Sequence, residues 1–346
     1  MGNIKTYNIT KSIREKMNRN IHNTKNHPIE IIKKRIYKYF GQEFKTFDDL
    51  NPKVDVVENF DKLLIPPNHP ARSLSDTYYF DEDTCLRTHT SAHQNELLIK
   101  GYSKFLVTGD VYRKDEIDNC HYPVFHQMEG VCIVEDGEDV EEEFKKKLIG
   151  LVEYLFPGCE YRFNEDYFPF TDPSLEIEVK FNGNWLEVMG GGIVQSKIME
   201  NCGLKNKKAW AFGLGLERLA MILFNIPDIR YFWTTDERFL KQFYSGDIVE
   251  FQEYSKYPPC HKDIAFWLNE SYNYNNFCEI VREYGEDIIE EIQKIDEFSH
   301  PKTNKTSHCY RITYRSNDRS LTNEEVDNIQ IKIRNTIESE LDLEIR

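Results

Sequence analysis

VTGDVYRKDEIDNCHYPVFHQMEGVCIV, residues 107–134, is the stretch on which the fold turns. Two strand-like runs flank a polar loop, the pattern of an antiparallel hairpin. Arg113 ends the first strand, and Gln127 and Glu129, two residues apart, face one way on the return. AFGLGLERLAMIL, residues 211–223, is a strand that turns at glycines into a helix opened by Glu217-Arg218. An arginine at a hairpin mouth and a second at a helix start are what a site needs to hold a triphosphate bent over an acyl carboxylate. Guanidinium forks and a helix terminus both attract anions.

Outward from these stretches the periodicity alternates between helix and strand. His27 to Phe40 carries apolar residues at Ile29, Ile32, Ile36 and Phe40, a helical stripe with a basic opposite face. Pro66, Pro67 and Pro70 break regular structure, after which TSAHQNELLIKGY predicts a helix from Ser91 to about Gly101, with capping-box spacing at Ser91 and Gln94. The acidic run Glu135 to Glu143 opens a further helix through Phe156. From Leu175 the period becomes two, and Asn182-Gly183 predicts a tight turn into WLEVMGGG. Antiparallel hairpins followed by a helix define an α+β fold. That pattern argues against a doubly wound dinucleotide fold, and Gly190-Gly191-Gly192 is not a GxGxxG fingerprint.

Pro258-Pro259 marks a boundary. Beyond it the order is strand (HKDIAFWL), helix (276–295), strand (SHCYRITYRS) and helix (322–341), with room for further strands and LEIR at the end. That is the order of a ferredoxin-like βαββαβ domain. The chain therefore divides into a basic extension (1–26), a large domain (27–253) and a small one (254–346). Its 346 residues suit two domains, and no apolar run approaches the roughly 20 residues that span a bilayer, so no membrane partner is expected. Eight scattered cysteines without a Cys-x-x-Cys pair predict free thiols in a reducing compartment. His89 and His93 lie four apart, but Thr90 stands where a zinc HExxH motif has glutamate.

A net charge of -15 argues against a polyanionic partner only if the charge is evenly spread. The first 26 residues carry Lys5, Lys11, Arg14, Lys16, Arg19 and Lys25 against Glu15 alone, which reads as the remains of an organelle-targeting segment or as a solvated basic arm. From residue 254 onward 12 basic residues face 18 acidic ones, yet Lys302, Lys305, Arg311, Arg315 and Arg319 cluster with Asp318 as the only acid among them. Strand alternation in CYRITYR puts Arg311 and Arg315 on one face and Tyr310, Ile312 and Tyr314 on the other. Such a face suits phosphates or splayed bases, or is an ordinary solvated strand face.

NHPAR (68–72), LRTHTSAHQ (86–94), GDVYR (109–113), HYPVFHQ (121–127), YFPFT (167–171) and GLGLERLAM (213–221) stand in the order of one family's motifs. The chain resembles the class II aminoacyl-tRNA synthetases, and within them the single-chain, organellar, phenylalanine-specific type, from about Tyr7 to the C-terminus. NHPAR occupies the place of the dimer-forming motif 1, although in the single-chain type that element is not expected to dimerise; a monomer is expected. In this family the basic extension belongs to the mature enzyme. Some relatives carry a long insertion after the hairpin, reduced here to Glu135-Asp136-Gly137.

The resemblance implies a class II antiparallel-sheet catalytic domain followed by a ferredoxin-fold anticodon-binding domain. It implies a ligase that joins phenylalanine to tRNA(Phe) through an adenylate, using ATP and Mg²⁺, in the mitochondrial matrix or another organelle. Carried over position by position, Arg113 and Arg218 take the catalytic roles. Ser91, Ala92, His93 and Gln94 fall among the amino-acid or adenylate contacts, with His89 beside the amino group. Cys120, His121 and Tyr122 fall over the ATP. Gln127, Met128 and Glu129 lie beneath it, with Glu129 on the α-ammonium. Glu187 meets the nucleotide or Mg²⁺, Phe212 lines the pocket, and Arg311 and Arg315 meet tRNA. Phe168 and Phe170 flank Pro169 and can present two rings to a substrate ring, although alone they read equally as an aromatic core strand. An apolar slot of this kind rejects the extra hydroxyl of tyrosine by only about a hundredfold. By composition alone each arginine would be a surface ion-pair former; their motifs reverse that reading. Two other readings fit parts of the chain: the catalytic subunit of a two-subunit enzyme, which lacks a fused anticodon-binding domain, and a non-catalytic RNA-binding paralogue, which need not keep Arg113, Glu129 and Arg218.

Overall fold

Seven strands make the sheet that positions the site. In chain order they are β1 (Lys45–Phe47), β2 (Lys104–Tyr112), β3 (Val124–Ile133), β4 (Tyr161–Asp166), β5 (Thr171–Phe181), β6 (Asn184–Val194) and β7 (Ala209–Gly215). The spatial order is β1-β2-β3-β7-β6-β5-β4, antiparallel throughout except for the β1–β2 pair. The computed structural model describes residues 8–181, 183–254 and 257–346. Asn182 of the predicted turn therefore lies outside the described residues, while Gly183 takes φ +83, a left-handed value that glycine adopts without strain.

Helix α1 (Lys11–Lys16) joins the large core through Ile13, and one face of the sheet is covered by α2 (Pro28–Phe40), α3 (Val140–Leu155) and α4 (Leu216–Phe224), through Ile32, Ile36, Phe40, Phe144, Leu148 and Leu219 against Met128, Trp210 and Phe212. Helix α2 starts where the sequence predicts: the ring of His27 accepts from the Ile29 N–H, and Pro28 occupies the first turn. Helix α3 is capped by Asp139, which accepts from Glu141 and Glu142, so the acids before it sit where a helix start favours negative charge. On the other face, short helices at Gln94–Ile99 and Ser196–Asn201 cover Phe105, Val107, Val131 and Ala209. The middle of that face is open and holds the cavity.

Beyond residue 254, β8 (Cys260–Trp267), α5 (Tyr274–Gly285), β9 (Ile289–Ser299), β10 (Thr306–Tyr314), α6 (Asn323–Glu340) and β11 (Glu344–Ile345) follow as βαββαβ, with strand order β9-β10-β8-β11. The predicted helix over 276–295 overran: Gly285 ends α5, Glu286 turns at φ +47, and 289–299 pairs with β10 as a strand. Residues 8–26 are not a solvated arm. Ile9, Ile13 and Ile21 are buried in the large core, and Thr10 hydrogen-bonds Glu279 of α5 at 3.2 Å.

The two halves meet over a polar, buried interface. Glu279 accepts from Tyr78 (2.9 Å) and Arg282 (2.7 Å), and Arg282 also donates to the Asp115 carbonyl (2.7 Å). Ile117, from the β2–β3 loop, is buried in the small domain's core. Arg230 donates to the carbonyls of Asp287 and Arg315. All eight cysteines are free thiols, and no helix among the described residues is long and apolar enough to cross a membrane.

Candidate active site

A cavity of about 540 Å³ opens on the helix-free middle of the large sheet. The strand pleat decides which residues of β3 reach it. Gln127 and Glu129 point into it, whereas Met128 between them is buried in the core under α2. Glu129 is 2 % exposed, and neither carboxyl oxygen has a hydrogen-bond partner of normal geometry among the described residues. Burial pushes its carboxyl up to about 8, which the nearby Ser91 hydroxyl only partly offsets. A buried acid without a partner is costly unless a cation completes it.

Arg113 stands at the mouth of the β2–β3 hairpin. Its backbone N–H donates to Pro123 (3.0 Å), its Nε to the Thr88 carbonyl (2.7 Å), and its guanidinium lies over the Phe125 ring at 5.3 Å. No acceptor among the described residues takes its two terminal nitrogens, which leaves a fork for a carboxylate or phosphate. Burial disfavours its charge and lowers its pKa. His89 lines the same wall; burial and then the Arg113 charge hold it down at about 3, so its ring is neutral. Gln127 accepts from the Thr90 N–H at 3.3 Å.

At the opposite end Phe168 and Phe170 stack with ring centroids 5.7 Å apart and planes 12° from parallel. Gly190 makes room for them: a Cβ there would stand 2.8 Å from Phe168 Cζ. Glu187 lines the cavity and pairs with Arg218 of α4 at 3.0 Å. A carboxylate placed there suits a hard cation such as Mg²⁺.

The structure thus brings Ser91, Arg113, Gln127, Glu129, Phe168, Phe170 and Glu187 to one cavity, with Arg218 at its edge. Other sequence candidates lie elsewhere. Phe212 borders the cavity, but its ring is on the helix side of the sheet, stacked on Phe40 at 5.4 Å. Ala92 packs with Phe60 and Leu63 in a satellite core. Residues 90–93 form a 3-10 turn, with the helix proper starting at Gln94 and no side-chain cap at either start, so the predicted capping box does not form. His93 is buried against Arg87 (2.9 Å), and Gln94 is buried beside it, off the cavity wall. Cys120, His121 and Tyr122 do not line the cavity; their loop packs on the small domain through Ile117, while Asp115, held by Arg282, stays on the cavity wall. Tyr122 hydrogen-bonds Asp287, and His121 pairs with Asp118 at 2.8 Å. Arg311 is engaged by both oxygens of Asp263 (2.8 and 2.9 Å). Arg315 lies past the end of β10, paired with Glu290 at 2.8 Å in the interface, so the two do not share an open face.

Sequence reasoning missed Phe125, Thr88, Gly190 and Asn275. Strand alternation back from Gln127 would have found Phe125. Asn275 borders the cavity from the small domain, and no local signal marks it.

A seven-stranded sheet, antiparallel but for its first pair, with an arginine at the mouth of the β2–β3 hairpin and another on the helix after its central strand, joined to a βαββαβ unit, defines a class II synthetase architecture. Residues 6–243 match the family described as tRNA synthetases class II core domain (F), and residues 255–346 match the ferredoxin-fold anticodon binding domain. The chain is 52 % identical to the chloroplastic/mitochondrial phenylalanine–tRNA ligase of Arabidopsis thaliana, over 99 % of this chain and 83 % of that protein. It is 46 % identical to the mitochondrial phenylalanine–tRNA ligase of Dictyostelium discoideum, over 98 % and 89 %. A phenylalanine–tRNA ligase alpha subunit of Prochlorococcus marinus is 44 % identical over 54 % of each chain. The chain belongs to the phenylalanine–tRNA ligase family, in its single-chain organellar form.

Proposed function

We propose that the protein joins phenylalanine to tRNA(Phe) for organellar translation, by way of a phenylalanyl-adenylate. The observation that carries this reading is the cavity's three-part match to the amino acid. Glu129, buried with only the Ser91 hydroxyl near it among the described residues, awaits an ammonium; the fork of Arg113, free among those residues, awaits a carboxylate; the Phe168–Phe170 pair offers an apolar slot. Arg113 bridges the substrate carboxylate and the α-phosphate of ATP, where charge grows as pyrophosphate leaves. Ser91, His89 and Gln127 orient the amino group, and Arg218 grips the outer phosphates. Glu187 would hold Mg²⁺, which would supply charge neutralisation on the phosphates.

Residues 27–253 act as the catalytic domain and 254–346 as the anticodon-binding domain of a monomer in the mitochondrial matrix. Arg311 exchanges Asp263 for a tRNA phosphate, whereas Arg315 must first release Glu290. Identity over the whole chain, small domain included, supports the single-chain enzyme over a catalytic subunit. The test is ATP–pyrophosphate exchange with each of the twenty amino acids and no tRNA. Exchange with phenylalanine, and weakly with tyrosine, is expected; silence with all twenty from folded protein would overturn the reading.

A further inference from the structure

We propose that Glu217 is a positioning residue for ATP, acting with His126 to fix Arg218 relative to the strand that carries Gln127 and Glu129. The argument starts from the sheet. Strand β7 pairs with β3 as far as Gly215 opposite Gln127, and then turns into α4 at Leu216. The next residue of β3, His126, is left with a backbone N–H pointing where β7 has ended. A buried N–H must find an acceptor. The Glu217 carboxylate supplies it: one oxygen accepts from His126 N at 2.8 Å, and the other lies 2.6 Å from His126 Nδ1. Glu217 is 2 % exposed and His126 1 %, and the ring is walled by Trp233, stacked at 5.9 Å, and by His22 at 5.2 Å. The carboxylate therefore continues the ladder across the strand-to-helix junction with two bonds to one residue.

The consequence follows from chain order. Arg218 is the next residue after Glu217, and its own side chain is half exposed with Glu187 as its ion partner. Among the described residues nothing on that side chain fixes it to β3, so its register relative to β3 rests on the end of the β7–β3 ladder at Gly215 and on the Glu217 bonds one residue earlier. A displacement of about 1 Å in such a register can change reaction rates by about a hundredfold. The inference rests on the reading of Arg218 as a phosphate grip.

The experiment is a double-mutant cycle on the full chain, with dissociation constants of ATP·Mg²⁺ and of phenylalanine measured by calorimetry. Glu217→Ala should weaken ATP·Mg²⁺ by about tenfold or more while phenylalanine changes by less than about threefold, and it should have almost no further effect in an Arg218→Ala background. Glu217→Gln keeps an acceptor for the backbone N–H and should fall between. It serves as the same test if the alanine variant does not fold. An equal effect in both backgrounds, or equal weakening of both ligands, would mean a merely structural role and overturn the inference while leaving the proposed function standing. ATP binding unaffected by Arg218→Ala would instead remove the phosphate-grip reading, and the inference with it.

Discussion

Glu129 shows how a single side chain can be shaped for a ligand at the expense of the free protein. Its carboxyl is held up at about 8 by burial, against an ordinary value of 4.5. Between those two pH values the folded protein holds a proton that the unfolded chain has released, so stability contributed by this group falls as pH rises from 4.5 toward 8. Glu129→Gln should therefore raise Tm at pH 8 and leave it nearly unchanged at pH 4.5, as thermal melts at the two pH values would show. Phenylalanine binding runs the other way, since an ammonium selects the carboxylate. Below pH 8 the wild-type affinity should improve by about tenfold per pH unit, and in Glu129→Gln it should be weak and flat. The sequence made Gln127 and Glu129 legible because period-two alternation is a property of the strand itself. It misassigned Met128, a neighbour in sequence and an opposite in space, because the motif's order was followed over its pleat.

At the scale of elements, the β5–β6 hairpin and its glycines set the amino-acid slot. Gly190 lies under Phe168, so Gly190→Ala should tilt that ring and raise the KM for phenylalanine by about tenfold, with the KM for ATP unchanged in pyrophosphate exchange. The hairpins, α2 and α3 were legible because their hydrophobic periods and capping residues are local. Strand β9 was not: Ile289 to Ser299 follows a helix without proline, and its burial is one-sided only at Ile289 and Ile292. The signal that separates it from α5 is Gly285, a weak one beside a continuing run of helix-forming residues. Arg311 of β10 and Arg315 just past its end illustrate the same limit. Alternation assigned their faces, but Asp263 and Glu290, which occupy them, come from strands 48 and 25 residues away.

For the whole molecule the decisive contacts are long-range and polar. Glu279 and Arg282 are buried together where Tyr78 and the Asp115 carbonyl complete their hydrogen bonds. Removing one partner strands the other, so Glu279→Ala should cost about 3–5 kcal/mol. Calorimetry should then show two unfolding transitions where the wild type shows one, because the small domain loses its buried ionic tie to the large one and keeps the contacts of Ile117, Arg230 and Arg282. None of these partners was foreseeable from spacing, since each residue would read alone as an ordinary surface ion or tyrosine.

Ile117 carries a last consequence. It belongs by chain order to the large domain, yet its side chain completes the small domain's apolar core. A gene split at the Pro258-Pro259 junction would thus give two polypeptides, neither of which can hide all of its own oil. One would display an isoleucine with nowhere to go, the other a socket lined by residues that water wets poorly. Produced together, the pieces should associate without a linker and restore a working whole; produced separately, each should be prone to precipitate.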